Sequence, residues 1–187
     1  MKLAEHLGGH ANKTHIDEGA LSWAINELKI SSMLDIGCGP GDMVKLSEQK
    51  GLTALGIDGD HTLERYNPER FLIHDFTLGP APLENNFDLA WSVEFVEHVY
   101  AEFIPNYMQA FQKCRYTIMT YAPPGHGGYH HVNEQPEEYW VDIFSQYGFT
   151  VNTQFAQELR NVSTMNLGKK LKKAFVKNRG MVFIKNG

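Results

Sequence analysis

The sequence predicts an α/β fold, a doubly wound and mostly parallel sheet with helices on both faces. Three observations predict it. A short apolar run, Met33-Leu-Asp-Ile36, leads directly into Gly37-Cys-Gly-Pro-Gly41. Strand-like segments then alternate with helix-like ones to the C-terminus, the pattern of parallel strands joined by covering helices. The polar residues with chemical potential fall at the carboxyl ends of those strands, at positions 37–41, 58, 75, 94–98 and 125–131. Ligands in open α/β sheets bind there.

Each element has its own signal. Leu21, Ala24, Ile25 and Leu28 recur at helical spacing and predict an amphipathic helix over 17–28. The first strand is 32–36. Met43, Val44 and Leu46 give the helix over 42–50 its packing face, and Gly51 stops it. Strands follow at 53–58, 70–74 and 87–93, then a helix within 101–113 and a strand at 116–121 closed by Pro123-Pro124. A helix over 136–147 ends at Gly148, and the last two strands are 149–153 and 181–184. Trp23, Trp91 and Trp140 fall at packing positions of these elements.

A chain of 187 residues fits one domain with a substantial core. The formal net charge of −5 argues against a protein-wide nucleic-acid-binding surface. Cys38 and Cys114 are the only cysteines. One of them lies inside the glycine loop, which points away from a disulfide scaffold and toward a reducing, cytoplasmic compartment. The N-terminus has no apolar leader, and no stretch is long enough to span a bilayer.

The glycine loop reads G-x-G-x-G, with its third glycine one residue earlier than in a dinucleotide fingerprint. A Cβ at Gly37, Gly39 or Gly41 would fill ligand space or forbid the turn. Asp58 closes the second strand about twenty residues later, the distance at which a carboxylate reaches a ribose hydroxyl pair. His74-Asp75-Phe76 follows the third strand, and Phe87-Asp-Leu-Ala-Trp-Ser92 precedes Glu97-His98-Val99.

Taken in order over nearly the whole chain, these motifs resemble those of the class I S-adenosylmethionine-dependent methyltransferases, small-molecule type. The resemblance implies a Rossmann-like seven-stranded sheet in a single domain, 1–187, with residues 1–31 a helical segment over the cofactor site. It implies S-adenosylmethionine bound by Asp35, Gly37, Cys38, Gly39, Gly41, Asp58, Gly59, Asp75, Phe76 and Ser92. Asp75 would accept from the adenine amino group and Phe76 would line the ring. A dehydrogenase would need a second half-sheet, for which the chain has no room.

Methyl transfer to an alcohol also requires a base or a metal, because a protonated oxygen is a poor nucleophile. On a helix entry Glu94, Glu97 and His98 would share one face. This E-x-x-E-H pattern resembles that of metal-assisted O-methyltransferases of ubiquinone biosynthesis and of small-RNA ends, with His131 in the place of a further ligand. Glu94, Glu97, His98 and His131 are therefore the candidate ligands for Mg²⁺ or Mn²⁺. Without a metal, His98 or His131 is the candidate base, and Glu94 completes the catalytic set. The glycine- and histidine-rich stretch 125–131 stands where a lid over the substrate is expected, whereas His6, His10 and His15 read as surface histidines.

The expected activity is O-methylation of a small-molecule hydroxyl on a sugar or quinol-like ring. One alternative is an RNA 2′-O-methyltransferase, which E-x-x-E-H with His131 favours and the acidic balance and lack of an RNA-binding domain oppose; the run Lys169-Lys-Leu-Lys-Lys173, followed by Lys177 and Arg179, could attract phosphate or RNA but reads as the solvated face of a helix. The other is a non-catalytic S-adenosylmethionine-binding protein, against which the polar residues at the substrate end argue. Oligomeric state has no signature in the sequence.

Overall fold

The computed structural model describes residues 3–165 and 173–187. Seven strands, β1 (Ser32–Ile36), β2 (Thr53–Asp58), β3 (Phe71–Ile73), β4 (Phe87–Ser92), β5 (Cys114–Met119), β6 (Phe149–Val151) and β7 (Met181–Lys185), form one sheet in the order β3-β2-β1-β4-β5-β7-β6. The pairings through β5 are parallel. β7 runs antiparallel between β5 and β6, with Thr117 opposite Phe183 and Val151 opposite Phe183 on its other edge. Strand order reverses between β1 and β4, and the crevice above that switch point is where such folds bind ligands.

Alternation along the strands divides the core between the two faces. Leu34, Ile36, Met119, Met181 and Phe183 pack on one side with Trp140 and Phe144. Met33, Leu89, Trp91, Ile118 and Val182 pack on the other with Leu21, Trp23 and Phe175. All three tryptophans are core residues, as the sequence indicates, and both cysteines are buried free thiols. Among the described residues no helix is long and apolar enough to cross a membrane.

Among the described residues six α-helices cover the sheet: α1 (Glu18–Glu27), α2 (Asp42–Gln49), α3 (Ile104–Phe111), α4 (Glu137–Gln146), α5 (Thr153–Val162) and α6 (Phe175–Arg179). Asp17 caps α1 by accepting from the Ala20 amide at 3.0 Å. The same buried carboxylate accepts from the Ser163 hydroxyl and, at 2.8 Å, from the Thr164 amide. One cap thus stabilises a helix start, by about 1 kcal/mol, and fastens the end of α5 to it. Sequence periodicity leaves α5 unpredicted, although Asn152 caps it by accepting from Phe155 N at 2.9 Å. The fifth strand begins two residues earlier than the sequence suggests because Cys114 already pairs with Phe87. Of the lysine run, residues 169–172 lie outside the described residues.

Candidate active site

The glycine loop is held by the strand beneath it. Gly37 N and Cys38 N both donate to the Ile57 carbonyl, at 2.9 and 3.1 Å, and Gly41 N closes the turn on Cys38 O at 3.0 Å. Gly37 has φ +78, and a Cβ there would run into the Phe95 ring. Gly41 has φ +89 for a different reason, since its missing Cβ leaves room for the Phe71 ring. Gly41 therefore serves the packing of β3 against the loop and lines neither cavity.

Asp58 shapes this loop directly. Its carboxylate accepts from Gly39 N and from Asp60 N, both at 2.8 Å, with the Arg65 guanidinium 3.7 Å away. Burial pushes the Asp58 carboxyl up, against the pull of the Asp60 and Gly39 amides. Each carboxylate oxygen keeps a second lone pair, so these bonds leave capacity for a ribose hydroxyl pair. Asp35 is almost fully buried, and burial, then the Asp58 charge, drive its carboxyl well above the ordinary range.

Two adjoining cavities, each of about 680 Å³ with their open mouths, lie above the strand ends. The first is mainly apolar and lined by Asp58, Gly59, Asp75, Phe76, Phe95 and Tyr100 among others. The second is polar and lined by Asp35, Cys38, Gly39, Lys13, His15 and His131 among others. Gly37, Glu94 and His98 face both. Phe76 supports the floor of the first, edge-on to Phe95 and Tyr107. Ser92 is not at either cavity: it is fully buried and its hydroxyl donates to the Ile36 carbonyl at 3.0 Å, tying β4 to β1.

The N-terminal strap crosses between the cavities. Of the 1–31 segment, α1 is the helix the sequence suggests, and residues 3–17 before it are irregular apart from the single 3-10 turn Glu5–Leu7. His6 Nε2 lies 2.9 Å from Asp75 Oδ2, and His10 Nε2 lies 3.0 Å from Asp60 Oδ2. His10 Nδ1 accepts from Asn12 N at 2.9 Å, so the ring hydrogen facing Asp60 is carried on Nε2. These are partnered, half-buried or buried rings and not surface histidines. Hydrogen bonds from His6 and Thr77 hold Asp75 below the usual carboxylate range, against desolvation, which would raise it.

The polar end of the cleft departs from the helix the sequence suggests. Glu94 has φ +56, which no helix contains, and only Val96–His98 form a single 3-10 turn. The three side chains converge because the chain turns sharply after β4. Glu94 Oε1 lies 3.4 Å from Arg179 Nη2 and 3.5 Å from Thr120 Oγ1. Glu97 is fully buried, and beyond the Glu94 carboxyl and its own backbone amide neither of its oxygens has a hydrogen-bond partner. Burial, then the neighbouring Glu94 charge, raise the Glu97 carboxyl well above its ordinary range. His98 is pulled down to about 4 by burial and then by the nearby His131 and His130, so its ring is neutral at pH 7.

One ligand atom from each of Glu97, His98 and His131 falls within 4.8 Å of the others. Glu94 stands apart from that trio, engaged with Arg179. The His98 and His131 rings meet edge-on at 4.9 Å, and His131 Nδ1 lies 2.9 Å from Glu134 Oε1. Thr120 and Glu134 are residues of this end that sequence reasoning does not single out, and it places Arg179 in a basic run and not here. Glu134 had a usable signal, a carboxylate three residues after His131. The pairing of Arg179 had none, since it meets Glu94 across 85 residues of chain.

Residues 34–117 match a family model described as a methyltransferase domain. Among solved structures, a TehB-like S-adenosylmethionine-dependent methyltransferase from Corynebacterium glutamicum is 15% identical, with a TM-score of 0.63 over 91% of this chain and 89% of that one. Magnesium protoporphyrin IX methyltransferase from Synechocystis, solved with S-adenosylmethionine bound, is 15% identical, with a TM-score of 0.59 over 89% and 76%. The methyltransferase domain of bacterial CtHen1-C is 16% identical, with a TM-score of 0.56 over 90% and 98%. No curated protein matches the chain. The strand order, the glycine loop at the switch point and the matched domain are those of the S-adenosylmethionine-dependent methyltransferase fold. Residues 34–117 carry the methyltransferase domain, and the fold around them is shared with S-adenosylmethionine-dependent methyltransferases.

Proposed function

We propose that this protein methylates a hydroxyl oxygen of a small-molecule acceptor, with the acceptor held where Glu97, His98 and His131 converge. The observation that carries this reading is Glu97, a fully buried carboxyl set against the Glu94 carboxyl and beside two imidazoles. Two buried carboxyls side by side are costly to ionise together, so this end of the cleft is built to take up a proton or a cation. A hydroxyl acceptor supplies that need, because its proton must leave. A neutral amine has no such requirement.

The residues fit the cofactor. The first cavity offers Asp75 and Phe76 to an adenine, Asp58 and Gly59 to a ribose, and the second offers Asp35, Cys38 and the Gly37–Gly39 backbone to a methionine moiety. S-adenosylmethionine, when bound, supplies an activated methyl group on a sulfonium. The protein's own share is to hold the acceptor oxygen in line with it, exclude water and receive the proton. His131 is the base: with Nδ1 bonded to Glu134, its Nε2 is the nitrogen free to accept. His98, depressed to about 4, stays a neutral hydrogen-bonding partner.

The donor set of Glu97, His98 and His131 also fits a divalent cation. Two imidazoles and one carboxylate suit Mn²⁺ better than Mg²⁺, which prefers oxygen. Such an ion would lower the pKa of the acceptor hydroxyl. Glu94 is not placed in that set, and its pairing with Arg179 makes it a support for Glu97 instead. The buried free thiols Cys38 and Cys114 suit the reducing cytoplasm.

The test is methyl transfer from labelled S-adenosylmethionine to a panel of small molecules bearing phenolic, sugar, amino or thiol groups. Transfer to oxygen is expected, lowered by about a hundredfold or more in His131→Ala. Transfer confined to nitrogen or sulfur, or full activity in His131→Ala, would overturn the reading.

A further inference from the structure

We propose that Glu134 is a positioning residue for this reaction, which fixes the tautomer of His131 and locks that ring to the glycine-rich loop above it. The proposal rests on the reading of His131 as the base. One carboxylate here has three donors. Oε1 accepts from Gly127 N at 2.6 Å and faces His131 Nδ1 at 2.9 Å, while Oε2 accepts from Gly125 N at 2.8 Å. An ionised carboxylate only accepts. The hydrogen between Glu134 and His131 must therefore sit on Nδ1, and in the neutral ring the Nε2 lone pair is then bare. A neutral imidazole free in water favours the opposite tautomer, so the carboxylate sets this choice.

The clamp is coupled to the turn that carries Glu97 and His98. Val132 N and Asn133 N both donate to the Glu97 carbonyl, at 2.9 and 3.1 Å, and Gln135 N donates to Ala122 O at 3.0 Å. Glu134 thus projects from backbone pinned on both sides, and its side chain is only 17% exposed. The ring it holds lies edge-on to His98 at 4.9 Å and parallel to His126 at 6.1 Å. Gly125 and Gly127 have φ +78 and +69, so the loop presents both amides to one oxygen pair in a conformation side chains resist. Orienting a histidine through a carboxylate on its remote nitrogen typically contributes ten- to hundredfold.

The experiment uses the full chain labelled with ¹⁵N-histidine, in chelator, and reads the His131 tautomer from long-range ¹H–¹⁵N correlations. The native protein should show Nδ1–H, and Glu134→Ala should shift His131 to Nε2–H. Turnover of the best acceptor from the panel above should fall about ten- to hundredfold, while affinity for S-adenosylhomocysteine stays within twofold. Glu134→Gln, which keeps an acceptor oxygen but places an amide against the glycine N–H groups, should lie between and serves if the alanine variant does not fold. An Nε2–H tautomer in the native protein, or an unchanged tautomer in both variants, overturns the proposal directly. A tautomer shift with unchanged turnover overturns it through its premise, because His131 would then not be the base.

Discussion

His6 Nε2 stands 2.9 Å from Asp75 Oδ2, so the N-terminal strap already holds the carboxylate proposed to receive the adenine amino group. Leu7 lies against Gly59 beside it, and His6, Leu7 and His10 line the same cavity as Asp58 and Phe76. The bond from His6 takes up one lone pair of Asp75 Oδ2, and the strap's side chains stand in the cavity proposed for the cofactor. Replacing His6 with alanine should therefore raise affinity for S-adenosylhomocysteine by about two- to tenfold, the worth of one hydrogen bond. Calorimetry on the two proteins decides it; weaker binding in His6→Ala would mean that the strap closes over the cofactor and contributes to holding it.

Asp58 holds the loop through Gly39 N and Asp60 N, and the proposed ribose contact adds to that duty. Hydrogen bonds to a charged group contribute about 1.5–3 kcal/mol, so Asp58→Ala should weaken S-adenosylhomocysteine binding by at least about tenfold. It should also lower the melting temperature of the ligand-free protein. A variant that melts lower but binds normally would confine Asp58 to shaping the glycine loop.

The fold was readable because its signals are local. The G-x-G-x-G loop, the apolar runs and the helix stops each act within a few residues, and they mark the parallel half of the sheet. The direction of β7 is not local: Met181–Lys185 runs antiparallel because it fills the gap between β5 and β6, and its five residues look the same in either direction. The site divides in the same way. Asp35, Gly37, Asp58 and Asp75 follow from strand ends, but the geometry at Glu94 does not. Its φ of +56 breaks the helix that i, i+3, i+4 spacing suggests, and its partner Arg179 comes from α6. Ser92 shows the converse, since a polar residue at a strand end can be spent entirely on joining two strands.

Acid should destabilise the protein through His98. Its unfolded value is near 6.5 and its folded value about 4, so the unfolded chain binds more protons between those limits. The neutral buried ring is fully tolerated above pH 6.5, and the stability associated with it is lost as pH falls toward 4. Melting temperatures of the native protein and His98→Asn, compared from pH 7.5 to 4.5, should converge as the pH falls. Parallel curves would show that the ring is solvated enough to titrate normally.

Glu97 carries the opposite sign. Its folded pKa is raised, so its contribution is fully present below about 4.5 and is lost as pH rises through the folded value. Glu97→Gln removes a buried ionisable group set against the Glu94 carboxyl, and trading such a group for a neutral one of equal size relieves its desolvation cost. The variant should melt higher than the native protein by at least about 2 °C, with the gap wider at pH 8 than at pH 5. Added Mn²⁺ should raise the melting temperature of the native protein and leave Glu97→Gln unmoved, because the carboxylate is the only anion of the trio with His98 and His131. A native protein indifferent to Mn²⁺, together with a more stable Glu97→Gln that retains activity, would assign the acceptor's proton to His131 alone.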